Sequence, residues 1–273
     1  MSQGCTLVLL LAMMSALAVG LMAWGPISLQ PLDHQYADQR GWAGLANAFN
    51  ALSCLPLLGV GGWGWAATWR SRWPATLRAA WLAFFALAAL HAASAAIYHL
   101  APGDIGQALS HTFAAGAFAM LLLGFLSERV DPLYGSTPAL VVALALAAAA
   151  GLWWLVGQWV LGHGDLRGLL FLECLPILLI PAGALGLTGR FTSPADWLAM
   201  LYLYVAARSA GLADAAVFNA TGWISGHALM HLLLAAVAAR LAYRAGTAPG
   251  AAASFAGGAA EPTQRSTSLN TTS

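Results

Sequence analysis

His227 and His231 stand four residues apart at the head of the last apolar stretch, in the run Ser225-Gly226-His227-Ala228-Leu229-Met230-His231. Side chains at i and i+4 share one helix face. That face can offer two imidazole nitrogens to one metal ion, as HExxH helices do. The flanking residues are apolar enough to sit in a membrane, where ionisable groups are costly and functional by default. Neutral histidines bonded to neighbouring helices, or ligating a haem, are the competing readings of the pair alone. His99 ends another apolar stretch, in Ser94-Ala-Ala-Ile-Tyr98-His99-Leu-Ala-Pro102. Alone it reads as an interfacial hydrogen-bonder. With His227 and His231 it makes three imidazoles, and three histidines with one open position form a catalytic zinc arrangement. Zinc there activates water and polarises a carbonyl, which suits hydrolysis of an amide or ester. His111 could be a fourth ligand or a general acid/base, and could equally face the headgroups. His91 lies two helical turns from His99, roughly 12 Å along the axis, too far to share its ion.

These residues must be positioned by membrane helices. Of 273 residues, 60% are hydrophobic and 8% charged, with a mean hydropathy of +0.73. This composition predicts an all-α polytopic membrane protein. The chain has no lysine and a formal net charge of +1, so nothing points to nucleic-acid binding. Cys5, Cys54 and Cys174 lack CxxC spacing and read as apolar packers.

Eight transmembrane segments are expected: 5–24, 42–67, 77–100, 106–127, 138–161, 169–187, 197–213 and 223–243. The first reads as a retained helix rather than a signal sequence, because no basic residue precedes it and its apolar run is long. The expected organisation is an N-terminal transmembrane helix over 1–30, a seven-helix domain over 31–244 and a disordered tail over 245–273. Pro56, Pro176 and Pro181 fall inside segments, as kinks. With both termini cytoplasmic, Arg70, Arg72, Arg78, Arg129, Arg190, Arg240, Arg244 and Arg265 lie inside and only Arg40 and Arg167 outside. That is a clear positive-inside bias and suits a bacterial inner membrane. This topology brings His99, Ser110, His111, His227 and His231 to the outer half of the bundle, with Asn47, Asn50, Ser53, Glu173 and Arg208. A polar cluster at one end of an otherwise apolar bundle predicts a site open to the outer face.

Asp33, Asp38, Arg40 and Asn47 form a second polar group. Oxygen ligands of this type could hold Ca2+, and a solvated loop with an Asp38–Arg40 pair accounts for them as well. Glu173, Asp165 with Arg167, and Arg208 with Asp214 read as interhelical charge pairs.

Several motifs occur together in a fixed order. They are Tyr36-Ala-Asp38-Gln-Arg40, then Gly44-Leu-Ala-Asn47-Ala-Phe-Asn50-Ala-Leu-Ser53-Cys54-Leu-Pro56, then Tyr98-His99-Leu-Ala-Pro102 and Glu128-Arg129-Val130-Asp131. Gly164-Asp165-Leu-Arg167, Leu175-Pro176 and Ser225-Gly226-His227 through His231 follow. Over residues 36–244 the chain is similar to the bacterial alkaline ceramidase-like family. That family belongs to a group of seven-helix membrane hydrolases that includes alkaline ceramidases and resembles the adiponectin receptors. The resemblance implies Zn2+ held by His99, His227 and His231, and hydrolysis of the N-acyl amide of a ceramide-like membrane lipid to a sphingoid base and a fatty acid. The chain departs from the family pattern at Ala95, where a serine is usual, and at Ser110, where an aspartate is usual. An asparagine position has become Cys54, and Asn47 stands where eukaryotic members carry an acidic calcium-site residue. Ser94, Ser110 and His111 are the candidates to assist catalysis in place of the missing groups. A lipid-binding or receptor-like member with lost or impaired activity is the alternative.

Overall fold

The computed structural model describes residues 2–28 and 35–247. Among the described residues it is all α-helical apart from turns and loops, one 3-10 turn and one isolated bridge between Trp42 and Leu45. Asp33 and the tail beyond Thr247 lie outside the described residues. The helices are α1 (Gln3–Trp24), α2 (Ala48–Ser53), α3 (Leu55–Arg70), α4 (Ala75–Leu100), α5 (Asp104–Arg129), α6 (Thr137–Leu161), α7 (Arg167–Gly186), α8 (Pro194–Leu212), α9 (Asp214–Thr221) and α10 (Gly226–Thr247). Six of them, α1, α4, α5, α6, α7 and α10, are long and apolar enough to cross a membrane. The bent pair α8 and α9 makes a seventh span if counted as one. The protein is therefore an all-α polytopic membrane bundle.

Three of the expected segments differ in detail. The segment expected over 42–67 begins at Ala48 and is divided at Cys54 into α2 and α3. Pro56 is consequently no kink: it occupies the first turn of α3, where a missing N–H leaves no hydrogen bond unmade. Pro176 and Pro181 do lie inside α7. The stretch after α8, too polar to read as part of a span, forms α9 at 80° to it. The final helix starts at Gly226, three residues later than hydropathy suggests, and runs to Thr247.

Helices α3, α4, α5, α7, α8 and α10 pack as a closed ring, each against the next. Helix α6 flanks the ring on α5, and α1 flanks it on α7. Small residues allow these approaches. A Cβ at Gly64 would overlap the Phe85 ring, so α3 lies directly on α4. A Cβ at Gly186 would overlap Thr6, which seats α1 on α7. The ring's apolar core is filled by Leu77, Trp81, Phe85, Met120, Phe125 and Trp197. Nearly all the buried polar groups lie towards one or the other end of the bundle.

Candidate metal centre and its cavity

The ends of α4 and α10 meet at one end of the ring, and there the three expected ligands converge. His99 Nε2 lies 3.2 Å from His231 Nε2 and 3.4 Å from His227 Nε2, and the latter two are 3.1 Å apart. Three nitrogens bound tetrahedrally to one zinc at 2.0–2.1 Å stand about 3.3 Å apart. The triangle has the dimensions of that donor set, and the donors are of the type zinc takes. His99 and His231 are almost fully buried, at 2% and 4% exposure.

Local features hold the triangle in place. Ser225 accepts the Ala228 N–H (3.1 Å) at the head of α10. The Asp214 carboxylate, at the start of α9, accepts the His227 backbone N–H (2.7 Å) through one oxygen and the Ala37 N–H (2.8 Å) through the other. Gly226 is required because a Cβ there would overlap the Ala210 carbonyl and crowd Asp214. Asn47, in the left-handed region with φ of 46°, donates to the His99 carbonyl at 3.0 Å. The Tyr36 ring packs on two of the imidazoles, with centroids 4.8 Å from His99 and 4.6 Å from His227. Burial, and then a hydrogen bond with Tyr98, push the Tyr36 phenol well above its ordinary pKa, so it stays neutral.

The thiol of Cys54 also reaches the centre. Ligand atoms of Cys54, His99 and His231 all lie within 4.8 Å of one another and all three residues are buried. Cys54 is free and 1% exposed, as the reading of a small apolar packer expects, and it also stands at the break between α2 and α3 within reach of the histidines. Its Sγ donates to the Asn50 carbonyl at 3.5 Å.

A cavity of about 330 Å³ opens beside the triangle, and Tyr36, His91, Ser110, His111, Glu173 and Arg208 are among its walls. Ser110 does not touch the histidine triangle. Its Oγ lies 3.2 Å from His91 Nδ1, whose other partner is the Ser110 carbonyl at 3.0 Å. His91 thus belongs to the cavity without joining the triangle. Its local sequence carried no sign of this, since its partner comes from the next helix. His111 lies on the wall with Nδ1 3.8 Å from Glu173. Ser94 is directed into its own helix, donating to the His91 carbonyl at 2.9 Å, and Ala95 rather than Ser94 faces the cavity.

Asp38 is 1% exposed and both its oxygens are taken by Arg40, at 2.8 Å each. That bidentate hydrogen bond lowers the Asp38 pKa despite burial. The Asp38 carbonyl accepts from Asn50 at 2.8 Å. Arg40 lies between the rings of Phe49 and Phe218, 4.6 and 5.0 Å from their centroids. The second polar group is thus built as an ion pair, as the alternative to a calcium site requires. Asp165 pairs with Arg167 at 2.8 Å. Asp214 accepts backbone N–H groups in place of the expected pair with Arg208.

Comparison of the chain with protein-family models, with curated proteins and with solved structures finds no match in any of the three.

Proposed function

We propose that this protein is a zinc-dependent membrane hydrolase that cleaves the N-acyl amide of ceramide-like lipids, releasing a sphingoid base and a fatty acid. One observation carries the reading: three imidazole Nε2 atoms 3.1–3.4 Å apart border a cavity at one end of a membrane bundle. The order of motifs that resembles the alkaline ceramidase-like family supplies the substrate class. His99, His227 and His231 would hold the metal, whose contribution is Lewis-acid activation of water and of the amide carbonyl.

The chain's own residues do the rest. Tyr36 covers the imidazoles and limits access of bulk water. Two apolar pockets share Phe118 and Tyr204 with the cavity and suit hydrocarbon chains. One, of about 90 Å³, runs between Leu57, Phe84 and Leu241. The other, of about 60 Å³, runs between Pro176, Ile180 and Met200. Ser110, His91 and His111 border the polar part, where a departing amine needs a proton. The arginine bias supports placing this end at the outer face of a bacterial inner membrane. The test is metal analysis and lipid-amide hydrolysis by the purified protein. One zinc per chain and chelator-sensitive hydrolysis are expected; turnover indifferent to chelator would remove the mechanism.

A second reading, a metal-stabilised lipid-binding protein without turnover, draws on Cys54. Four protein ligands close a zinc site, whereas a catalytic one keeps a position open. On the hydrolase reading Cys54→Ala retains one zinc per chain and its turnover. Loss of the zinc from that variant would favour the closed site. Ser110→Asp sharpens the choice, since a gain of hydrolysis would mark a decayed enzyme.

A further inference from the structure

One polar group on the cavity wall is unaccounted for by the metal centre. Gln107 lies in the first turns of α5, 4% exposed, and lines the cavity. Its carboxamide oxygen is buried with no hydrogen-bond partner. Buried side-chain polar atoms are nearly always paired, and an unpaired one costs free energy, so an exception calls for an explanation. Rotation of the amide exchanges oxygen and nitrogen and can turn the oxygen to the cavity.

The setting narrows what the missing partner is. Along α5, Gln107, Ser110 and His111 are followed by Ala114 and Phe118, all on the cavity wall. The face is polar at the metal end and apolar deeper in. Neighbouring polar groups are already engaged: Ser110 with His91, and Asp214 with two backbone N–H groups. Gln107 alone combines full burial, a place on the wall and a free carbonyl acceptor.

We propose that Gln107 accepts a hydrogen bond from the polar head of the bound lipid, from its amide N–H or a hydroxyl, and so selects lipids that carry such a donor. A lipid without such a donor leaves the buried oxygen unpaired, which is how a site rejects an analogue lacking one donor. The proposal rests on the hydrolase reading for the identity of the lipid but not for its readout, which is binding.

The experiment measures equilibrium binding, in detergent micelles, of a ceramide and of its N-methyl, O-methyl and fully methylated analogues. Wild-type protein is expected to bind the ceramide on the order of tenfold more tightly than the fully methylated lipid. Gln107→Met is expected to bind both alike, at the level of the methylated lipid, which also shows that the variant is folded. Gln107→Glu, which keeps a carbonyl oxygen in place, is expected to retain the preference. The singly methylated lipids identify the donor as N–H or O–H. A Gln107→Met protein that keeps the preference, or that weakens both lipids equally, would overturn the proposal. Zinc content and turnover are measured separately, so an absence of hydrolysis would count against the hydrolase reading alone.

Discussion

The two ends of this bundle are both polar, and they differ in what their charged and basic groups face. At the end away from the histidines the charged groups are paired within the protein, although Thr68 Oγ1, Trp73 Nε1 and Ser127 Oγ are buried without partners. Glu128 accepts from the backbone of Phe191 and Thr192 and from the Thr192 hydroxyl, at 2.7–2.8 Å. Arg129 donates to the carbonyls of Leu187 and Thr192, leaving only its Nε unpaired. Asp196, wholly buried, accepts from Ser193, Arg240 and Arg244 at 2.7–2.9 Å. At the histidine end three nitrogens crowd together in a way no arrangement of protons satisfies. His99 Nδ1 and Gln107 Oε1 are buried without partners. Ion pairs closed within the protein staple helices. Three imidazole nitrogens facing one point form a donor set that could hold a metal ion.

This comparison can be broken from either side. The largest effect is expected from His231→Ala, which removes one of the three proposed ligands. Zinc affinity should fall by about 100-fold or more while the thermal midpoint of the metal-free protein hardly moves. A large loss of metal-free stability would mean that the triangle is itself a staple. Asp196→Asn should do the reverse, costing about 2 kcal/mol of stability and leaving zinc affinity unchanged. The figure is kept low because Arg240 and Arg244 are 40% and 33% exposed and can turn to water. The smallest effect concerns Asp38. Its carboxyl titrates below the ordinary value in the folded chain, so its ion pair contributes full stability above about pH 4. That contribution disappears as pH falls through the lowered value. Arg40→Gln should therefore lower the thermal midpoint at pH 7, and the loss should shrink as pH falls through the lowered value. An undiminished loss at low pH would assign the effect to the stacking of Arg40 on Phe49 and Phe218.

The sequence makes some of this legible because the information is local. His227 and His231 declare themselves by spacing within one helix, and His99 joins them once alternating spans set its depth. The long spans α4, α5, α6, α7 and α10 follow from apolar length. The break at Cys54 does not, because the apolar stretch runs on through it, and the bonds of Asn47 and Asn50 to the carbonyls of His99 and Asp38 form only when separate segments meet. Helix α9 is hidden because Asp214, Asn219 and Thr221 make a polar stretch that reads as a loop. The roles of Tyr36, His91 and Gln107 arise only when separate segments meet. Ser94 is a candidate only through the resemblance to ceramidase-like proteins, which carry a serine one position further on, and a shift of one residue turns a side chain about 100° around a helix. Ala95 occupies the wall instead.

The carboxylate of Asp214 has one more consequence. One of its oxygens holds the segment that carries Tyr36, and the other holds the head of the helix that carries His227. Ordering of that segment and occupancy of the histidine centre are therefore thermodynamically linked, and such linkage is reciprocal. Whatever factor a bound ion adds to the order of residues 35–40, the ordered segment must return in affinity for the ion.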